Sequence, residues 1–422
     1  MGCPRCEILV VPVGFGDTVV GEANMAKAWM GGALLALGSI VSSAAAQPSY
    51  LPSPGTQGSV ADPLPCLDSS SSSVPTPPMS SPGSSSSNWL PANLSNAWDC
   101  RPSCPEPPAL YGSFGYMALE RQRLGHGAAA LLDTASGGVE TGNLPPAGAP
   151  EIADFYDVQP RFNHGVRATL GYHWGDQAIE MSGFYLSQNS STKTVASAGS
   201  LDTFFNVGGD FFSAPLGFEP GLWLQADVIK LRLQTALGSA EVNYRCWLGA
   251  NADLSWLFGI RYLDLYERFS FYTGDDDLTA PDPTTQAIYS VTAHNQIVAP
   301  QLGLEWNRAI NCWLAFTWSV KGAWGANFLT VDTQLKRGDG FTGFHNGRSQ
   351  TLFSHLYETG FFLDFRLMER ARLRAGYDLM WVVDVAEALG QFDYDLSHTS
   401  GRTKNNETIF YGGPVVELHF LF

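Results

Sequence analysis

The chain has 422 residues, of which 45 % are apolar, 12 % are aromatic and only 15 % are charged. This charged fraction is lower than the roughly 25 % that is usual for soluble globular domains. The formal net charge of -16 argues against nucleic acid as a partner, because binding to phosphate needs a basic surface. The aromatic content suits a protein that has membrane interfaces to anchor.

The N-terminal part of the chain contains the pattern of an export signal. Lys27 precedes an apolar run over residues 28–41, and three alanines then offer a cleavage site of small residues. The run of about 14 residues is too short to cross a bilayer as a helix. Met25 is the natural start of such a signal, and acidic residues precede it. We therefore predict an over-extended gene start in residues 1–24 and a signal peptide in residues 25–46.

The following segment, residues 47–108, has low sequence complexity. It contains the serine runs Ser69–Ser73 and Ser84–Ser87 together with many prolines. Such a composition buries too little apolar surface to offset the entropy cost of ordering the chain. We predict a disordered Ser/Pro-rich linker in the periplasm here, followed by one barrel domain over residues 109–422.

From residue 109 onward, apolar and polar residues alternate in a series of short runs. In one of them, Val166, Ala168 and Leu170 alternate with Arg167 and Thr169. A period of two residues predicts β-strands with one apolar face. The predicted strands lie within Tyr111–Leu119, Val166–Trp174, Ala178–Ser187, Ala240–Leu248, Asn251–Phe271, Val298–Trp306, Trp313–Trp324, His355–Leu367, Ala371–Val383 and Thr408–Phe422.

The connections between these strands alternate between short and long. Residues 175–177 form a short connection, for example, whereas residues 120–161 form a long one. This alternation is typical of bacterial outer-membrane barrels, which have short periplasmic turns and long external loops. We predict an all-β fold, a single antiparallel transmembrane β-barrel of about 10 strands with both termini in the periplasm. Twelve strands are the alternative, if Leu201–Phe212 and Leu222–Leu233 form another hairpin.

The last strand places Leu418, Phe420 and Phe422 on one apolar face. Transmembrane barrels commonly present such a row to lipid. We interpret these three residues as the terminal signal that the barrel-assembly machinery would recognise. Outer-membrane lipid and this machinery are therefore two predicted partners of the chain.

Several of these runs also resemble the putative beta-barrel porin type 7 family of bacterial outer-membrane proteins. The matching stretches are Gly165–Tyr172 (GVRATLGY), Ala240–Arg245 (AEVNYR), Phe258–Leu263 (FGIRYL), Ala299–Leu304 (APQLGL) and Leu373–Tyr377 (LRAGY). The resemblance extends over roughly residues 109–422 and implies an outer-membrane barrel. It brings no catalytic residues with it.

The faces opposite the apolar rows carry charges of both signs, and they predict a polar barrel interior. The candidate lumen-lining residues are Arg167, Glu241, Arg245, Arg261, Glu305, Lys321, Glu358, Asp364, Arg366, Arg372, Arg374, Asp378 and Glu417. They could line a pore for small hydrophilic solutes or ions, which the acidic loop around Asp275–Asp277 would make cation-preferring. Alternatively they could fill the lumen of a non-conducting structural or surface-interaction barrel. Barrels of about eight strands are filled by side chains, whereas open channels have about sixteen.

No motif in the sequence indicates catalysis, a cofactor or a metal site. His345, His355, His398 and Glu358 lie near predicted loops but form no recognisable catalytic set. The acidic run Asp275–Asp277 lacks the ligand spacing of a calcium loop. We therefore predict that the protein is not an enzyme and binds no cofactor or metal.

Overall fold

The computed structural model describes residues 109–122, 124, 128–132, 151–159, 161–203, 205, 222–223, 225–248, 253–275, 282–340, 342–394, 404 and 406–422. The predicted gene start, signal peptide and linker lie outside these described residues. The same is true of His398 and of Asp276 and Asp277. The described part of the chain is almost entirely β-structure.

Twelve strands form one antiparallel sheet. They are β1 (Ala109–Arg121), β2 (Ala128–Leu132), β3 (Glu151–Asp154), β4 (Asn163–Trp174), β5 (Gln177–Asp202), β6 (Ala226–Leu248), β7 (Leu254–Gly274), β8 (Gln286–Ala309), β9 (Leu314–Arg337), β10 (Phe344–Met368), β11 (Ala371–Val385) and β12 (Glu407–Leu421). Short 3₁₀ turns occupy Phe155–Asp157, Pro283–Thr285 and Leu389–Gln391. The helical segments in the described ranges fall short of the length and hydrophobicity that a membrane-spanning helix requires.

Ten of the strands close into a barrel. β4 to β12 pair in chain order, and β1 pairs with both β4 and β12 to complete the ring. The short strand β2 pairs with β3 and with the far end of β5, outside this ring. We call the end of the barrel with the tight turns, such as the one between Trp174 and Gln177, the short-turn end. The opposite end is the long-loop end.

The prediction of ten barrel strands is confirmed, and the alternative of twelve is wrong. Leu201 belongs to the end of β5, and residues 226–233 belong to the start of β6. These segments pair with each other as extensions of the barrel wall, for example between Leu201 and Ala226. Residues 188–202 and 226–239, which follow and precede the predicted strands, therefore lengthen β5 and β6.

The strands also extend much further toward the long-loop end than the sequence predicts. Residues 325–337 continue β9, whereas the sequence predicts a loop there. Here the apolar residues Val331 and Leu335 are buried, and Thr330 is exposed. Nearer the short-turn end the polarity is opposite, since Trp318 of the same strand is exposed. The period of two is unchanged, but the apolar residues move from the outer to the inner face.

Exposed apolar side chains cover the outer surface of the half near the short-turn end. Phe114 and Ile260 are 62 % and 60 % exposed, and Leu302 is 53 % exposed. A band of outward apolar side chains is the surface that a transmembrane barrel presents to lipid. The seam between β1 and β12 is part of this band, since Phe114 pairs with Leu418 and Gly112 pairs with Phe420. The remaining predicted terminal residue, Phe422, donates its backbone N–H to the oxygen of Leu110.

Candidate functional site

Charged side chains inside the barrel meet across its lumen. Arg167 of β4 contacts Asp378 of β11 at 2.6 Å and Glu358 of β10 at 3.3 Å. Its Nε lies 3.4 Å from Glu417 of β12. None of these three strands is hydrogen-bonded to β4. The ion pairs therefore bridge the interior of the barrel.

Arg261 of β7 lies at the centre of this arrangement and is only 1 % exposed. One of its terminal nitrogens lies 2.6 Å from Glu358 and 3.4 Å from Glu241. Its Nε donates to the hydroxyl of Ser239 at 3.0 Å. Lys321 lies 3.0 Å from Glu241 and 3.7 Å from Glu358, so both carboxylates are shared between cations. We call Arg167, Glu241, Arg261, Lys321, Glu358 and Asp378 the central ion cluster.

A second charged layer lies closer to the short-turn end. Arg245 contacts Glu180 at 2.9 Å and Glu305 at 3.2 Å. Arg374 contacts Asp364 at 2.7 Å. Between this layer and the central ion cluster lies a cavity of about 190 Å³, lined mostly by polar side chains. It is large enough for several water molecules.

Most of the predicted lumen residues thus take part in ion pairs within the barrel. These residues are Arg167, Glu241, Arg245, Arg261, Glu305, Lys321, Glu358, Asp364, Arg374, Asp378 and Glu417. Arg366 and Arg372 lie opposite each other at the short-turn end and are exposed. Sequence reasoning missed Glu180, although its alternation with Ile179 and Met181 in a predicted strand could have indicated it.

An apolar layer closes the barrel on the other side of the central ion cluster. Met117, Leu265, Leu356, Met380 and Tyr411 pack there, each 2 % exposed or less. These side chains come from strands β1, β7, β10, β11 and β12, which surround the lumen. Because the layer is so fully buried, it leaves no room for a water-filled path between these residues.

The segment after β11 folds into the barrel above this apolar layer. Ala386 and the side chain of Asn295 exchange two hydrogen bonds, of 2.9 and 3.0 Å. The backbone N–H of Ala388 donates to Glu267 at 3.2 Å. Arg121 contacts the same Glu267 at 2.7 Å and Glu387 at 3.2 Å. A third buried group of charges therefore holds residues 386–392, which we call the inward loop.

An aromatic cluster fills the interior at the long-loop end. Phe392 of the inward loop packs against Tyr289, Phe269 and Phe205 at centroid distances of 4.8, 5.2 and 5.8 Å. Phe155 joins the cluster, 5.8 Å from Phe392. Aromatic pairs at these separations attract each other beyond their burial of surface. The interior of the described barrel is therefore filled by alternating charged and apolar layers.

The inward loop makes the stability of the protein depend on pH through Glu387. Burial raises the pKa of its carboxyl to about 7, and Arg121 opposes this rise while Glu267 and Glu407 add to it. The folded state then holds the proton more tightly than the unfolded state does. The stabilisation by this proton is complete below about pH 4.5 and is lost as the pH rises to about 7.

We expect Glu387→Gln, which mimics the protonated acid, to raise the free energy of unfolding at pH 8 by about 1–3 kcal/mol. The variant should also flatten the pH dependence between pH 5 and pH 8, measured by urea unfolding in detergent micelles. Glu369→Gln, in an exposed short turn, is the matched control and should leave the profile unchanged. An unaltered profile for Glu387→Gln would contradict the role of this carboxyl.

Of the histidines near predicted loops, the two within the described ranges, His345 and His355, do not assemble with Glu358. His355 lies on the outer face of β10, 3.1 Å from Asp384, whereas Glu358 points into the lumen. His345 contacts Asp332 at 2.7 Å on the exposed outer surface. The described residues hold no cluster of three side chains that could bind a metal ion. The geometry brings together ion pairs rather than a nucleophile and a base.

Comparison with known proteins gives one family match. The family model described as Putative beta barrel porin-7 matches residues 111–408. No curated protein matches the chain.

Several solved structures of barrels are similar to the chain. The outer membrane protease OmpT from Escherichia coli has 10 % identity, covers 76 % of this chain and 100 % of its own, and gives a TM-score of 0.40. The translocator domain of the autotransporter NalP from Neisseria meningitidis has 12 % identity, with coverages of 78 % and 92 % and a TM-score of 0.31. A Pseudomonas aeruginosa FadL homologue has 11 % identity, with coverages of 75 % and 90 % and a TM-score of 0.24. At such low identities and scores, these likenesses carry no argument about activity.

Proposed function

Because the chain belongs to the Putative beta barrel porin-7 family, we propose that it is a bacterial outer-membrane barrel whose lumen is closed by its own side chains. In this proposal both termini face the periplasm, and the barrel is a structural or surface-interaction element rather than an enzyme or an open pore. The observation that carries the proposal is the central ion cluster, in which Arg261 is 1 % exposed and pairs with two glutamates.

Energetics favour a closed resting state. Opening a path would separate buried ion pairs, and a charge left buried without its partner typically costs about 3–5 kcal/mol. It would also expose the apolar layer around Leu265 and the aromatic cluster around Phe392 to water. Each 1.4 kcal/mol in the free energy of opening lowers the population of the open state about tenfold. We therefore expect spontaneous opening to be rare.

The half of the barrel toward the long-loop end suggests what a closed barrel would present to its surroundings. Strands β6 to β10 continue well beyond the apolar band, and their outer faces there are polar, as at Thr330. A rigid polar wall with connecting loops is suited to contacts at the cell surface. Function commonly resides in loops that a rigid scaffold positions.

Passive diffusion of small hydrophilic solutes is the second candidate function. The family description favours it, and so does the polar cavity of about 190 Å³ near the short-turn end. In this case the charged and apolar layers would act as a gate that some signal opens. With a net charge of -16, such a pore would prefer cations.

Conductance separates the two candidates. We expect the purified protein to give no current steps in planar bilayers, because the layers described above leave no path for ions. Insertion is checked on the same material by a shift in gel migration between unboiled and boiled samples, since closed barrels resist detergent until heated. Reproducible steps from correctly folded protein would favour the pore, and their ion selectivity would then test the preference for cations.

A further inference from the structure

Three basic side chains lie close together on the outer face of the barrel, on the long-loop side of the apolar band. Lys230 and Arg232 alternate with buried leucines on β6, and Arg268 lies on the neighbouring strand β7. Gln234 pairs with Arg268, and Arg232 pairs with Ser270, so Arg232 and Arg268 are diagonal neighbours. Diagonal neighbours on one face lie roughly 7–8 Å apart. We call Lys230, Arg232 and Arg268 the outer cation patch.

No carboxylate neutralises this patch within the described residues. The positions that pair with the three cations are all uncharged: Thr192, Thr194, Gln234, Ser270, Tyr272 and Thr292. The Nε of Arg268 is buried and has no hydrogen-bond partner in the described structure. A concentration of unpaired positive charge is unusual in a chain with a net charge of -16. It indicates that an external anion completes the site.

The position of the outer cation patch along the barrel axis indicates which kind of anion it binds. On β7 the outward residues Phe258, Ile260 and Tyr262 belong to the apolar band, and Arg268 follows six residues after Tyr262. Six residues of a strand tilted at about 40° rise by roughly 15 Å along the barrel axis. This places the cations just outside the hydrocarbon region on the long-loop side, at the depth of lipid headgroups.

We propose that the outer cation patch binds the phosphate groups of an anionic glycolipid in the outer leaflet of the membrane. Guanidinium groups bind phosphate oxygens in a bidentate manner, and a lysine adds a mobile point charge. The hydroxyls of Thr192 and Thr194, on the neighbouring strand, would contribute hydrogen bonds to phosphate or sugar oxygens. Electrostatic attraction would thereby fix how deeply and at what tilt the barrel sits in its membrane. This inference depends on the outer-membrane location proposed above.

The test uses the full barrel in detergent micelles, with bisphosphorylated lipid A as the probe. Native mass spectrometry counts the bound lipid and gives its affinity. The comparison is with dephosphorylated lipid A, and we expect the phosphorylated form to bind at least tenfold more tightly. The triple variant K230Q/R232Q/R268Q should lose roughly 100-fold in affinity, since each cation near an anionic membrane surface contributes about fivefold.

The matched control removes three positive charges from the short-turn end. R308Q/R366Q/R370Q changes exposed residues near the tight turns, and it should bind phosphorylated lipid A as the unmodified protein does. Should the triple variant fail to fold, K230Q/R232Q alters only exposed side chains and should still lose about 25-fold.

Three results would overturn the proposal: equal affinity for the two lipids, unchanged affinity in both patch variants, or equally tight binding of inorganic phosphate alone. The last result would assign the patch to a soluble anion. Failure of the outer-membrane location would be seen separately, by fractionation of cells, whatever the lipid affinity.

Discussion

Replacing Arg261 with methionine is expected to lower the free energy of unfolding by about 3–5 kcal/mol. The substitution keeps much of the side-chain volume but removes the positive charge that Glu241 and Glu358 share. Both carboxylates would stay buried, with Lys321 and Arg167 as their remaining cations. An uncompensated buried charge is far more costly than a lost surface contact. Urea unfolding of the barrel in lipid vesicles, followed by tryptophan fluorescence, measures the change.

The control is Arg308→Met, which removes an ion pair from an exposed position. Arg308 contacts Asp253 at 3.1 Å, but its side chain is 62 % exposed. Exposed pairs contribute about 0–1 kcal/mol, so this variant should be nearly as stable as the unmodified protein. Similar losses in the two arginine variants would contradict a tightly packed, buried central ion cluster.

A double variant separates the effect of the unbalanced negative charge in the central ion cluster from the other effects of Arg261→Met. Combining Arg261→Met with Glu358→Gln removes one charge of each sign from the central ion cluster. Replacement of a buried ion pair by neutral side chains is often close to neutral for stability. The double variant should therefore recover most of the stability that Arg261→Met loses. If it loses the sum of the two single effects, the residues act independently and do not form a coupled cluster.

The sequence predicts the half of the barrel near the short-turn end well, for a physical reason. There the outer row is apolar, as is typical of transmembrane barrels, so the alternation of Leu170 and Tyr172 with Thr169 and Gly171 is easily assigned to a strand. Toward the long-loop end the outer row is polar, and the apolar residues, such as Leu335, point inward. The two-residue period of the sequence does not by itself show whether the apolar residues face outward or inward. The sequence therefore predicts loops where the strands extend.

The site was predictable only as a list of inward positions. Alternation places Arg261 and Glu358 on inner faces, but they are 97 residues apart in the chain. Which charges meet depends on the curvature and closure of the barrel, which no local spacing encodes. The inward loop was missed for a related reason. Ala386 and Ala388 are buried by hydrogen bonds to Asn295 and Glu267 from distant strands.

Closure of the barrel depends on the seam between its first and last strands. β1 and β12 pair from Tyr111 with Leu421 to Met117 with Val415, and again at Glu120 with Gly412. Pro414 interrupts the ladder between these stretches, because proline has no N–H to donate. At this interruption Gly413 approaches the backbone of Ala118 so closely that a Cβ atom would overlap its carbonyl oxygen. The obstacle is backbone, so it cannot be relieved by a change of side-chain rotamer.

We expect Gly413→Ala to force the seam apart and to lower the free energy of unfolding by at least about 3 kcal/mol, at the upper end of overpacking effects. The folded, fast-migrating band of unboiled protein should be lost at a lower temperature than for the unmodified chain. Hydrogen exchange should become faster at the seam amides around Met117 and Val415.

The matched control is Gly347→Ala on β10, where the added Cβ would meet only Asp332, at 4.0 Å. That change should be neutral, because alanine there meets open space and restricts the unfolded chain slightly. Equal stability of the two alanine variants would show that the seam tolerates a Cβ atom, and that closure does not require this close approach of the first and last strands.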